Sequence, residues 1–149
     1  MNLESSGSHR FRCFTPAKPA RVWLALTDGR QTRRYLHGLA LDSAWTVDAP
    51  LAFRTGELTD GPAALVGGVL CIQLHRRLSY FLRSGPADPA TYLTWELDPR
   101  AGGTVVHLQV DCAEHGDTEA EAEDTWLPVL AGLQDVLARD RDGRGDTAG

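Results

Sequence analysis

Between Leu41 and Cys112 apolar residues recur at every second position in short runs, and from Trp126 to Leu137 they recur at helical spacing. The helical stripe is Trp126, Leu130, Leu133 and Leu137. A sheet with one apolar face and one amphipathic helix can each hide that face against the other. The chain is therefore constrained to a curved antiparallel sheet with the closing helix across its concave face. A helix laid over a curved sheet can leave a cavity between the two layers.

The strands read individually. Phe11 and Cys13 alternate with Arg10 and Arg12 in a first strand over His9 to Thr15. Leu41, Trp45 and Val47 share a side of the next, and Leu51, Phe53 and Thr55 a side of the one after the Asp48-Ala49-Pro50 turn. Over Gly67 to Leu74 the spacing puts Leu70, Ile72 and Leu74 on one face, and the following strand presents Leu78, Tyr80 and Leu82. Leu93, Trp95 and Leu97, then Val106, Leu108 and Val110, flank a Gly-rich turn, which is a strong hairpin signal.

Helices punctuate both ends. Pro19 suits a first helical turn, where its missing N–H costs nothing. Val22, Trp23 and Leu26 form the inner face of that helix, and Asp28-Gly29 stops it. Gln31 to Leu36 predicts a second short helix, ended by Gly38. In the closing helix, Thr118 and Glu121 have capping-box spacing. Pro128 falls inside the pattern and implies either a kink or a fresh start with Thr125 as N-cap. Residues 1–8 and 140–149 are expected to be flexible, leaving 9–139 as one domain.

A net charge of -5 argues against a nucleic-acid partner. No apolar run approaches the roughly 18 residues of a bilayer span, so no membrane insertion is expected. The opening MNLESSGSHRF has no basic and apolar leader, and the expectation is a cytoplasmic protein. Cys13, Cys71 and Cys112 stand far apart and read as reduced, partly buried thiols.

Chemical motifs are sparse. The five histidines, His9, His37, His75, His107 and His115, show no metal-ligand spacing and read as surface residues. Neither a metal nor a cofactor is expected, and no nucleophile-elbow or phosphate-loop motif is present. Arg33-Arg34 and Arg76-Arg77 are most simply solvated faces. The aromatic set carries more: Trp45, Phe53, Tyr80 and Trp95 take the inward phase of their strands and face Trp126. Pockets are usually apolar and aromatic with a few placed polar groups. The candidate wall is Trp45, Phe53, Thr55, Leu70, Tyr80, Trp95, Leu108, Trp126 and Leu130, with Tyr35 or His37 at the mouth. A buried Tyr hydroxyl normally needs a partner, so Tyr80 is expected to bond a ligand or another side chain.

The element order resembles the START-like (SRPBCC) helix-grip superfamily. PARVWLALTDGRQTRRYL (Pro19 to Leu36), GGVLCIQLHRRLSYFL (Gly67 to Leu82) and TYLTWELDPRAGGTVVHLQV (Thr91 to Val110) are similar to one family within it. That family is named for homology to the ATPase activator of the 90-kDa heat-shock chaperone. The sequence departs from it at Asp48-Ala49, where Gly is common, at Leu74-His75, where prolines turn the hairpin, and at Cys71, in place of an acid. The resemblance implies an α+β helix-grip fold. It has six or seven antiparallel strands, two short helices after the first strand and a long C-terminal helix across the sheet. It also implies binding of a small hydrophobic or amphipathic molecule, with no catalytic residue assigned. Two other readings stand beside it: a cyclase- or aromatase-like enzyme in the same cavity, and a co-chaperone-type module with a protein partner.

Overall fold

The computed structural model describes residues 8–55, 65–83, 89–112 and 119–140, apart from the side chains of Thr55, Leu65, Cys112, Glu119 and Asp140. The chain opens with β1 (Ser8–Thr15), α1 (Pro19–Thr27) and α2 (Gly29–Thr32). Six strands follow: β2 (Leu39–Ser43), β3 (Pro50–Thr55), β4 (Leu65–Gln73), β5 (Arg77–Arg83), β6 (Thr91–Arg100) and β7 (Gly103–Cys112). Helix α3 (Glu119–Asp140) ends the described chain. The strands form one antiparallel sheet in the order β1-β7-β6-β5-β4-β3-β2. This is the expected α+β helix-grip architecture.

The long hairpin of β6 and β7 sets the register of the sheet centre. Leu93, Trp95 and Leu97 pair with Val110, Leu108 and Val106, and all six are buried. β1 adds to the free edge of β7, with Phe11 opposite Leu108 and Cys13 opposite Val106. At the other edge β2 would expose an unpaired backbone. Thr32 Oγ1 prevents this by accepting from the Leu41 N–H (3.1 Å) and donating to the Leu39 carbonyl (3.0 Å). Covering an edge in this way removes a template for aggregation.

Several expectations are corrected. The second helix is one turn, Gly29–Thr32, rather than Gln31 to Leu36. Asp28 ends α1 and then caps α2, its carboxylate accepting from the Arg30 N–H at 2.9 Å. That early cap moves the helix start forward. The second strand stops at Ser43 rather than running to Val47. Trp45 takes a left-handed backbone (φ 56°), and Val47 is exposed.

β4 carries a bulge between Val69 and Cys71. The extra residue reverses the alternation. Val69 is therefore buried opposite Tyr80, whereas Leu70 is 43 % exposed, against the expectation that it faces inward. Leu74 lies in the turn after β4 and is also exposed. Two departures from the family pattern, Asp48 (φ 71°) and His75 (φ 65°), occupy left-handed backbone. Asp and His tolerate that region better than most non-Gly residues.

α3 runs unbroken through Pro128. Thr125 lies inside it, its hydroxyl bonded back to the Glu121 carbonyl (3.2 Å), so the fresh start at Thr125 is not adopted. Thr118 lies outside the described residues. Val129, Leu130, Leu133, Val136 and Leu137 are buried in the same core as Trp95, Tyr80 and Phe53. The helix backbone comes nearest to β1 and α1. Gln134 Nε2 donates to the Phe14 carbonyl at 2.6 Å, and Gly132 leaves room for Tyr35 against the helix.

Candidate ligand-binding interior

The concave face concentrates the largest buried side chains. Trp95, Tyr80 and Phe53 are the largest fully buried side chains among the described residues and come from β6, β5 and β3. Antiparallel register places them near one another: Leu78 pairs with Trp95 and Tyr80 with Leu93, so Tyr80 and Trp95 are diagonal neighbours. Phe53 meets the Tyr80 ring at 5.9 Å between centroids, tilted by 51°. Trp45 meets it edge-on at 6.2 Å and 66°. Such offset and edge contacts suit the ring quadrupoles.

The sheet therefore brings together Trp45, Phe53, Tyr80, Trp95 and Leu108, and α3 adds Leu130 and the partly buried Trp126. Leu70 leaves the set because the bulge turns it outward. The side chain of Thr55 lies outside the described residues. Tyr35, expected at the mouth, is buried, and its hydroxyl donates to the Ala25 carbonyl at 2.7 Å. His37 is exposed, with Nε2 2.9 Å from the Thr125 carbonyl oxygen on α3.

The polar chemistry of this interior is narrow. Trp95 Nε1 donates to the Tyr80 hydroxyl at 3.1 Å, and both residues are 1 % exposed. Burial pushes the Tyr80 phenol well above its ordinary range, with the Trp95 hydrogen bond opposing that shift. Burial, and then the nearby Tyr80, raises Tyr35 in the same direction. Burial lifts the Cys13 thiol to about 11, so it is protonated and a poor nucleophile at neutral pH. The other buried polar side chains among the described residues are Thr15, Thr32 and Thr104. Among the described residues no carboxylate is buried, and no group of His, Cys, Asp or Glu is arranged to hold a metal.

One residue was missed by sequence reasoning. His9, read as a surface histidine, lies on the inward phase of β1 opposite Val110, and its Nε2 is buried without a hydrogen-bond partner among the described residues. Its alternation with Arg10 was the available signal. His107 points outward, where it lines a cleft with Arg10, Arg77, Glu96 and Gln109. A shallower hollow lies on the exposed side of α3, around Asp124, Leu127 and Pro128. No described helix is long and apolar enough to cross a membrane.

Solved structures share this arrangement. CalU16 from Micromonospora echinospora superposes with a TM-score of 0.67 at 18 % identity, covering 94 % of this chain and 84 % of its own. DynU16, a protein of the dynemicin biosynthetic locus, gives 0.71 at 21 % identity over 88 % of this chain and 47 % of its own. An Hsp90 activator from Plasmodium falciparum gives 0.68 at 13 % identity over 89 % and 96 %. At such identities the likeness is one of fold. No curated protein matches the sequence significantly. The profile of the family described as "Activator of Hsp90 ATPase homolog 1-like protein" matches residues 16–138, and the chain belongs to that family.

Proposed function

We propose that this protein binds a small hydrophobic or amphipathic molecule between the concave face of its sheet and α3. The observation that carries the reading is where the bulk lies. Phe53, Tyr80 and Trp95 occupy the β3–β6 side of the interior, while the α3 backbone comes nearest at β1 and α1. Trp45 and Trp126 pack against this core and are only partly buried. Side chains can repack around a guest at far lower cost than a displaced helix. The guest would be held by removal of apolar surface from water, worth roughly 25 cal/mol per Å². Other wall contacts in this proposal are Leu108 and Leu130.

The enzymatic alternative has less support. Among the described residues Tyr80, held neutral by burial, has no base beside it, and the unpartnered His9 has no acid partner. Acid–base catalysis requires such groups within reach of each other or of the substrate. The Hsp90-activator neighbour in Plasmodium falciparum suggests a protein partner, but that suggestion rests on fold alone.

Titration with N-phenyl-1-naphthylamine, a neutral apolar fluorophore, tests the proposal. Saturable one-to-one binding that quenches tryptophan emission supports it. So does a co-purifying compound seen by native mass spectrometry of the protein from its own host. Neither signal at micromolar protein would overturn it.

A further inference from the structure

Tyr80 narrows the chemistry of the guest. Its hydroxyl oxygen already accepts the Trp95 indole N–H. Its own proton is given to no acceptor among the described residues. The nearby Tyr35 hydroxyl spends its own proton on the Ala25 carbonyl. A phenol this deeply buried normally donates as well as accepts, and a donor left unpaired away from water carries a desolvation penalty.

We propose that the ligand carries a carbonyl or ether oxygen that accepts the Tyr80 O–H. This rests on the binding proposal above and deepens it. The acceptor requirement follows because the hydroxyl proton has no acceptor among the described residues.

The test uses two probes of one shape, 2-acetylnaphthalene and 2-isopropenylnaphthalene, which differ by an oxygen in place of a CH2. Dissociation constants are measured for the wild type and Tyr80→Phe. The ketone-to-alkene affinity ratio is expected to fall about fivefold on removing the hydroxyl, in line with one net hydrogen bond. A ratio unchanged by Tyr80→Phe, with both probes bound, would overturn the acceptor assignment and leave the binding reading standing. Binding of neither probe would overturn both. If Tyr80→Phe fails to fold, the infrared carbonyl stretch of 2-acetylnaphthalene bound to the wild type decides. A shift below its value in hexane supports the assignment, and an unshifted band rejects it.

Discussion

The Nε2 atom of His37 lies 2.9 Å from the carbonyl oxygen of Thr125, tying the turn before β2 to α3 across 88 residues of sequence. The contact falls where α3 is weakest. Pro128 has no N–H for the Asp124 carbonyl, so the helical ladder is interrupted one residue before the oxygen that His37 holds. We predict that His37→Asn speeds amide hydrogen exchange over 121–129 about fivefold, the equivalent of one net hydrogen bond. Asn is the informative substitution because it tolerates the left-handed backbone of position 37 (φ 52°) while withdrawing the ring. Unchanged exchange would show that the contact does not restrain α3.

Pro128 itself should be replaceable with gain. Its side chain is exposed, so Pro128→Ala loses little packing and restores a donor to the Asp124 carbonyl. The helix-interior penalty of proline outweighs the entropy that proline removes from the unfolded chain. The expected result is a rise in unfolding free energy of about 1 kcal/mol or more by denaturant titration. A fall would mean that the proline geometry is needed for α3 to follow the sheet.

The buried acids set a one-sided pH dependence. In the unfolded chain the Cys13 thiol releases its proton near 9.0, and in the folded protein burial holds it to about 11. Between those values the unfolded state binds fewer protons, so stability is full below about pH 9 and declines as pH rises. Tyr35 and Tyr80, both raised by burial, steepen the decline above their ordinary value of 10.0. Urea midpoints at pH 8, 9.5 and 10.5 should fall in that order, and Cys13→Ala should remove the part of the slope that begins below pH 10. A flat profile would contradict the burial of these groups.

The sheet also depends on a close approach in β4. A Cβ on Gly67 would overlap the Phe81 carbonyl oxygen of β5, whereas one on Gly68 would meet the Phe81 ring at 3.0 Å. A ring can swing and a paired strand cannot. Gly67→Ala is therefore expected to cost about 2 kcal/mol or more and Gly68→Ala distinctly less, measured by chemical denaturation. Equal costs would contradict the register.

Much of this was legible before the structure. Period-two alternation identified the inward faces of β3, β5, β6 and β7, and helical spacing identified Leu130, Leu133 and Leu137. Where alternation vanished, so did the signal. Val69, Leu70, Cys71 and Ile72 form an unbroken apolar run, and nothing in it marks the bulge that turns Leu70 outward. The alternation around Trp45 predicts an inward-facing strand residue. It does reach Tyr80, but from a left-handed turn whose geometry depends on the strands it joins. The Trp95–Tyr80 hydrogen bond needs a diagonal relation between strands, which exists only once the register is fixed. The inward phase of His9 is legible in the alternation of β1, but nothing in the sequence distinguishes its burial from that of the other histidines.

Intermolecular nuclear Overhauser effects report directly whether a ligand sits in the space between the sheet and α3. With N-phenyl-1-naphthylamine bound there, contacts are expected from the probe to ring protons of Trp95 and Trp126 and to methyl groups of Leu108 and Leu130. The rival apolar surface is the outer face, where Phe81 and Tyr92 lie 5.9 Å apart beside the exposed Leu70 and Val66. Contacts confined to those residues would contradict the proposed site.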